Sequence, residues 1–149
     1  MNDFEKSLNS ILVDTFNSIL KFEEMSLKNI ASVNVTVTEA HILEAISKRG
    51  ENVSISDIAE ALNIAMPTAT VAVKKLEHKG FVTKTPCSED GRRYIVSLTP
   101  LGKKVDKAHA LFHKKMVRNI SREFDKTEQE ILLTAVNKLS QFFKEKVED

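Results

Sequence analysis

Four side chains in this 149-residue chain have the types and spacing for metal chemistry: Glu24, His41, His109 and His113. His109 and His113 stand at i and i+4, so on a helix both leave one face. Two neutral imidazoles so placed can share an ion, and a carboxylate with a third histidine completes a tetrahedral zinc set. The same residue types have a plainer use, with Glu23 or Glu24 hydrogen-bonded to buried histidines across helices. The single Cys87 would sense oxidants only as a stabilised thiolate. Arg92 and Arg93 favour that charge, whereas Glu89 and Asp90 oppose it. No nucleophile motif, phosphate-cradling glycine loop or acid pair is present, so we expect no enzyme and no required cofactor, zinc being the one metal the set could take.

A second chemistry is donation to a polyanion. Residues 53–104 hold eight basic against five acidic side chains, whereas residues 1–52 hold five against eight and the whole chain carries only +1. The positive excess therefore sits on one segment, where phosphate contact would need it. Within it, Thr68, Thr70, Val71, Lys74 and Lys75 share the outer face of a predicted helix, and Arg92 and Arg93 stand at a hairpin tip, 86–93. Threonine hydroxyls suit phosphates or base edges, and Val71 suits a thymine methyl. The plainer reading is that Lys74, Lys75 and Lys79 line a solvated face.

The elements that must position these groups follow from periodicity. Residues 3–30 read as an amphipathic helix carrying Phe4, Leu8, Ile11, Leu12, Ile19 and Leu20. Thr38 and Glu39 open a second helix, closed by Gly50. Ser56 reads as N-cap of a short helix, 57–62, with Ile58, Ala59 and Leu62 inward. Asn63 and Ile64 turn the chain, and Pro67 suits the first turn of a helix over 67–79 ending at Gly80. Val73 and Leu76 are its inward positions. Residues 81–85 and 94–98 alternate as strands. Thr99 caps a long helix from Pro100 to about Glu123, and Thr127 with Glu130 opens a last one bearing Ile131, Leu132, Ala135, Leu139, Phe142, Phe143 and Val147.

The order is helix, turn, helix, wing over about 38–99, between long helices over about 3–30 and 100–147. The fold class expected is mainly α with a small β wing, one domain over 1–149. A helix of this length fits the major groove of duplex DNA and a basic hairpin the neighbouring minor groove. The terminal helices carry more apolar surface than one such module covers, which predicts a homodimer on a near-palindromic site. No run of about 18 apolar residues is present, so no membrane partner is expected. One cysteine and an N-terminus without an apolar signal core suggest the cytoplasm.

The strings DIAEALNI, VKKLEHKGFV and SEDGRRYIVSLTPLG, with the flanking helices, resemble the MarR family of bacterial transcription regulators. The resemblance implies a repressor whose recognition helix is 67–79, with Arg92 and Arg93 in the minor groove and Asp90 holding the arginine. FNSILKFEEMSLK and AHALFHKKMV look like the branch that represses fatty-acid synthesis genes, which implies tuning by acyl carrier protein bearing an acyl chain, or by another effector. The zinc-responsive branch is similar at Glu24, His41, His109 and His113; its second metal site has no match, because Ala108 stands beside His109 and the only cysteine is at the wing. Ala65-Met66-Pro67 departs from the polar start that the family's recognition helices often have, so base preference does not carry over.

Overall fold

The computed structural model describes residues 1–30, 34–87 and 91–148. They fall into two compact units, Met1–Phe112 and His113–Asp149. The first holds α1 (Asp3–Lys28), α2 (Val37–Arg49), β1 (Val53–Ser54), α3 (Ile55–Leu62), α4 (Met66–His78), β2 (Val82–Pro86), β3 (Tyr94–Leu98) and the start of α5 (Pro100–Ser121). The second holds the end of α5 and α6 (Lys126–Glu148). The expected mainly helical fold with a small β wing is what forms.

Three helices start two residues earlier than their hydroxyl residues suggested. The N-caps are Thr36, Ser54 and Asp125, not Thr38, Ser56 and Thr127. In each case an acid three residues on, Glu39, Asp57 or Glu128, accepts back from the cap's own N–H. Two orphan donors are thereby satisfied at once, which a lone hydroxyl further along cannot do. Asn2 and Glu5 start α1 in the same way.

The core of the first unit is apolar. Ile42, Leu43 and Ile46 of α2 meet Ile58 of α3, Val73 and Leu76 of α4, Val105 of α5, and Val53, Phe81, Val82 and Val96 of the sheet region. The α3–α4 turn is made by Asn63 in the left-handed region, with its N–H bonded to the Glu60 carbonyl. At the end of α4, Gly80 (φ 81°) reverses the chain. The Phe81 N–H bonds the Leu76 carbonyl and the Gly80 N–H bonds that of Glu77, a pairing that needs positive φ at the glycine. The sheet is antiparallel in the order β1-β3-β2, with Val96 opposite both Val53 and Lys84.

In the second unit, the Gln129 side-chain amide donates to the Ser121 and Phe124 carbonyls, closing the turn between α5 and α6. Ile131, Leu132, Leu133, Val136, Phe142, Phe143 and Val147 of α6 all remain exposed. No helix among the described residues is long and apolar enough to cross a membrane.

Candidate nucleic-acid interface

Helix α4 divides into two faces. Ala69, Val73 and Leu76 are fully buried, and their i, i+4, i+7 spacing turns Thr68, Thr70, Val71, Lys74 and Lys75 outward, all exposed. Val71 is 59% exposed, an apolar side chain presented to solvent on this face. Thr70 spends its hydroxyl hydrogen on the Met66 carbonyl (2.9 Å), so toward a ligand it acts as an acceptor. Ala65 supplies no side-chain cap to α4, leaving the positive end of the helix dipole open at the same face. Lys79 is not part of this outer face. Its ammonium group lies 2.8 Å from Glu39 Oε1.

The wing is a hairpin of β2 and β3, extended past the last strand pair by the Cys87 N–H bonded to the Arg93 carbonyl (2.7 Å). Arg92 and Arg93 are exposed. Asp90 lies outside the described residues. Lys84 sits 4.6 Å from the centroid of the Tyr94 ring across the strands, a cation–π contact that stiffens the hairpin. Behind the wing, Asp57 has its carboxyl held below its ordinary value of 3.8. Hydrogen bonding with the Ser54 backbone and side chain is the main cause, and the charges of Arg49 and Arg93 add to it. Arg93 is thus in electrostatic reach of α3, a role sequence spacing did not suggest.

Two members of the histidine set, His41 and His109, meet in the first unit, with one change of carboxylate. Glu23, not Glu24, is buried and receives His41 Nε2 at 2.9 Å and His109 Nε2 at 2.5 Å, both on Oε1. The rings of His41 and His109 are 5.5 Å apart. The inward positions of α1 here are Glu23 and Leu27, one turn apart, and Glu24 is rotated about 100° from them into solvent. His113 follows His109 by one turn on α5 and is half-buried. A tetrahedral zinc ion would need donor atoms about 3.3 Å apart, so the two contacts on Glu23 Oε1 would lengthen to admit one. Within the first unit, Glu23, His41 and His109 offer one oxygen and two nitrogen donors for such an ion.

A family model described as the MarR family matches residues 35–94, the span from just before α2 to the first residue of β3. The transcriptional regulator AdcR of Streptococcus pyogenes is 30% identical over 121 residues, covering 79% of this chain and 78% of AdcR. The chain belongs to the MarR family. Like its family, it is a DNA-binding transcriptional regulator with a winged helix-turn-helix fold. Helix α4 is the second helix of that motif in chain order, followed by the wing strands. A solved structure of Streptococcus pneumoniae FabT in complex with DNA matches with a TM-score of 0.88 and 26% identity, covering 95% of this chain and 98% of FabT. The uncharacterized HTH-type regulator YhjH of Bacillus subtilis is 29% identical over 113 residues, but the chain spans only 64% of YhjH's length.

Proposed function

We propose that this MarR-type regulator is a homodimeric repressor of fatty-acid synthesis genes. It binds a pseudo-palindromic operator through α4, the segment expected as 67–79, and through the wing over 86–93. The observation that carries this reading is the outward set Thr68, Thr70, Val71, Lys74 and Lys75 on a helix whose opposite face is buried, in a chain whose fold matches FabT held on DNA. Dimer formation is supported by the bare apolar residues of α1 (Phe4, Ile11, Phe16 and Ile19) and of α6. Surfaces of that kind mark protein contacts. A two-fold axis gives two reading heads and hence a palindromic site. Acyl carrier protein bearing an acyl chain, or another effector, shifts operator affinity by binding one spacing of the heads better than the other.

Genome-wide occupancy in the native host is the test. Sites upstream of fatty-acid synthesis genes, with binding that changes on adding acylated carrier protein, are expected. Sites elsewhere and indifference to that protein would refute the regulon while leaving the DNA role intact.

One observation favours a second reading, a zinc-responsive repressor. Glu23, His41 and His109 converge within the first unit. Zinc bound there would supply a charge-neutralising tie between helices in place of the hydrogen bonds. Metal analysis separates the two. One zinc per chain, with operator affinity lost on chelation, is expected of a sensor. Sub-stoichiometric zinc with unchanged affinity leaves Glu23 as a hydrogen-bond acceptor only.

A further inference from the structure

Lys79 caps the C-terminal end of α4 and would pass in the sequence for one more phosphate-binding lysine. Its surroundings say otherwise. Its ammonium donates to both oxygens of Glu39, at 2.8 and 3.0 Å, and to the Asn34 carbonyl at 3.2 Å. Glu39 is buried, and its Oε2 also accepts the Thr36 N–H (3.0 Å) that starts α2. One carboxylate thus both caps α2 and grips the far end of α4. The burial of Ala69, Val73 and Leu76 sets how deep α4 sits, but apolar burial is non-directional. A charge-assisted hydrogen-bond pair has a direction and a length. It anchors one end of the helix, while the other end, at Ala65, has no side-chain cap.

We propose that the Glu39–Lys79 pair is a strut that sets the angle at which α4 presents Thr68, Val71 and Lys75, making both members positioning residues for sequence reading. Lys79 does not contact phosphate, because its charge is already neutralised at short range. Bases are read by contacts that tolerate little misplacement, whereas phosphates attract any nearby cation. Loss of the strut therefore lowers preference for a particular sequence more than it lowers general affinity for duplex.

This rests on the DNA-reading role, and the test separates the two. The probes are a duplex selected by the wild-type chain from a random-sequence library and an unselected random duplex, each titrated at several salt concentrations. The double variant Glu39→Gln with Lys79→Met removes the ion pair, keeps a residue suited to the α2 capping box and leaves net charge unchanged. The expected result is about a tenfold loss on the selected duplex, the size of one lost base contact. Affinity for the random duplex and its salt slope stay as in wild type, and Lys79→Arg, which keeps the pair, retains most of the preference. Should the double variant lose its helical circular dichroism, Glu39→Gln with Lys79→Gln, which also leaves net charge unchanged, is read by the same two measurements. Equal binding of the selected duplex by wild type and variant overturns the strut. A parallel loss on both duplexes, or a salt slope reduced by about one, overturns it in favour of a phosphate contact at Lys79. Wild-type chain that binds neither duplex overturns the DNA-reading role, and the strut with it.

Discussion

Replacing Gly102 with alanine should destabilise the wing end of the first unit although the residue is helical and its φ is ordinary. A Cβ there would lie 2.1 Å from the Phe81 carbonyl oxygen and 3.1 Å from its carbon, both backbone atoms, and 3.6 Å from Leu98 Cβ. Carbon and oxygen sit comfortably at about 3.3 Å, so α5 or the chain at Phe81 must move by about 1 Å. Three hydrogen bonds resist that motion. The Thr99 N–H bonds the Phe81 carbonyl (3.0 Å), the Thr99 hydroxyl bonds the Gly80 carbonyl (2.6 Å), and the Gly102 N–H bonds the Thr99 hydroxyl (3.1 Å). Alanine gains about 1 kcal/mol in helix propensity over glycine. Overpacking costs about 1–3 kcal/mol, and each weakened hydrogen bond adds about 1 kcal/mol. We expect a net loss of about 2 kcal/mol, which lowers the melting temperature by about 4–8 °C in a chain of this size. The assay is thermal unfolding followed by circular dichroism. Gly91→Ala is the control, because nothing lies within 4 Å of its Cβ position. A Gly102→Ala protein as stable as wild type, or more so, would refute the reasoning that this glycine exists for close backbone approach.

Other outcomes follow from the same geometry. Lys74→Ala and Lys75→Ala should each reduce the slope of log affinity against log salt by about 0.9, measured on random duplex. Arg92→Ala at the wing should weaken operator binding about tenfold in a gel-shift or anisotropy titration, and unchanged affinity would remove the wing from DNA contact. Glu23→Ala strips the acceptor from a buried contact with His109 and a half-buried one with His41 and should cost about 2–4 kcal/mol in denaturant unfolding, while Glu24→Ala should stay within about 0.5 kcal/mol. Asp57 has a folded pKa below its unfolded one, so its contribution to stability is complete above about pH 4 and is lost as pH falls through the depressed value. Stability of Asp57→Asn should therefore fall less steeply below about pH 4 than that of wild type.

Much of this molecule is legible in the chain itself. The period of Ala69, Val73 and Leu76 already divides α4 into an inner and an outer face, because helical geometry is local. The capping motifs T-x-T-E, S-x-S-D and D-x-T-E were equally local. Reading the nearer hydroxyl instead of the cap residue two positions earlier, Thr36, Ser54 or the acid Asp125, displaced each helix start by two positions. Thr99-x-x-Gly102 carries its meaning only partly in sequence. Its cap is local, but the reason for glycine is the Phe81 carbonyl, brought close by the turn at Gly80.

Tertiary structure alone decided the rest. Glu23 and Glu24 are chemically the same, and about 100° of helix rotation, set by where Leu27 is buried, determines which one meets His41 and His109. Lys79 is one lysine among several until folding places Glu39, forty residues earlier in the chain, against its ammonium. Periodicity specifies which face a residue occupies. Which distant group waits at that face depends on how the helices dock, and no short window of sequence contains that information.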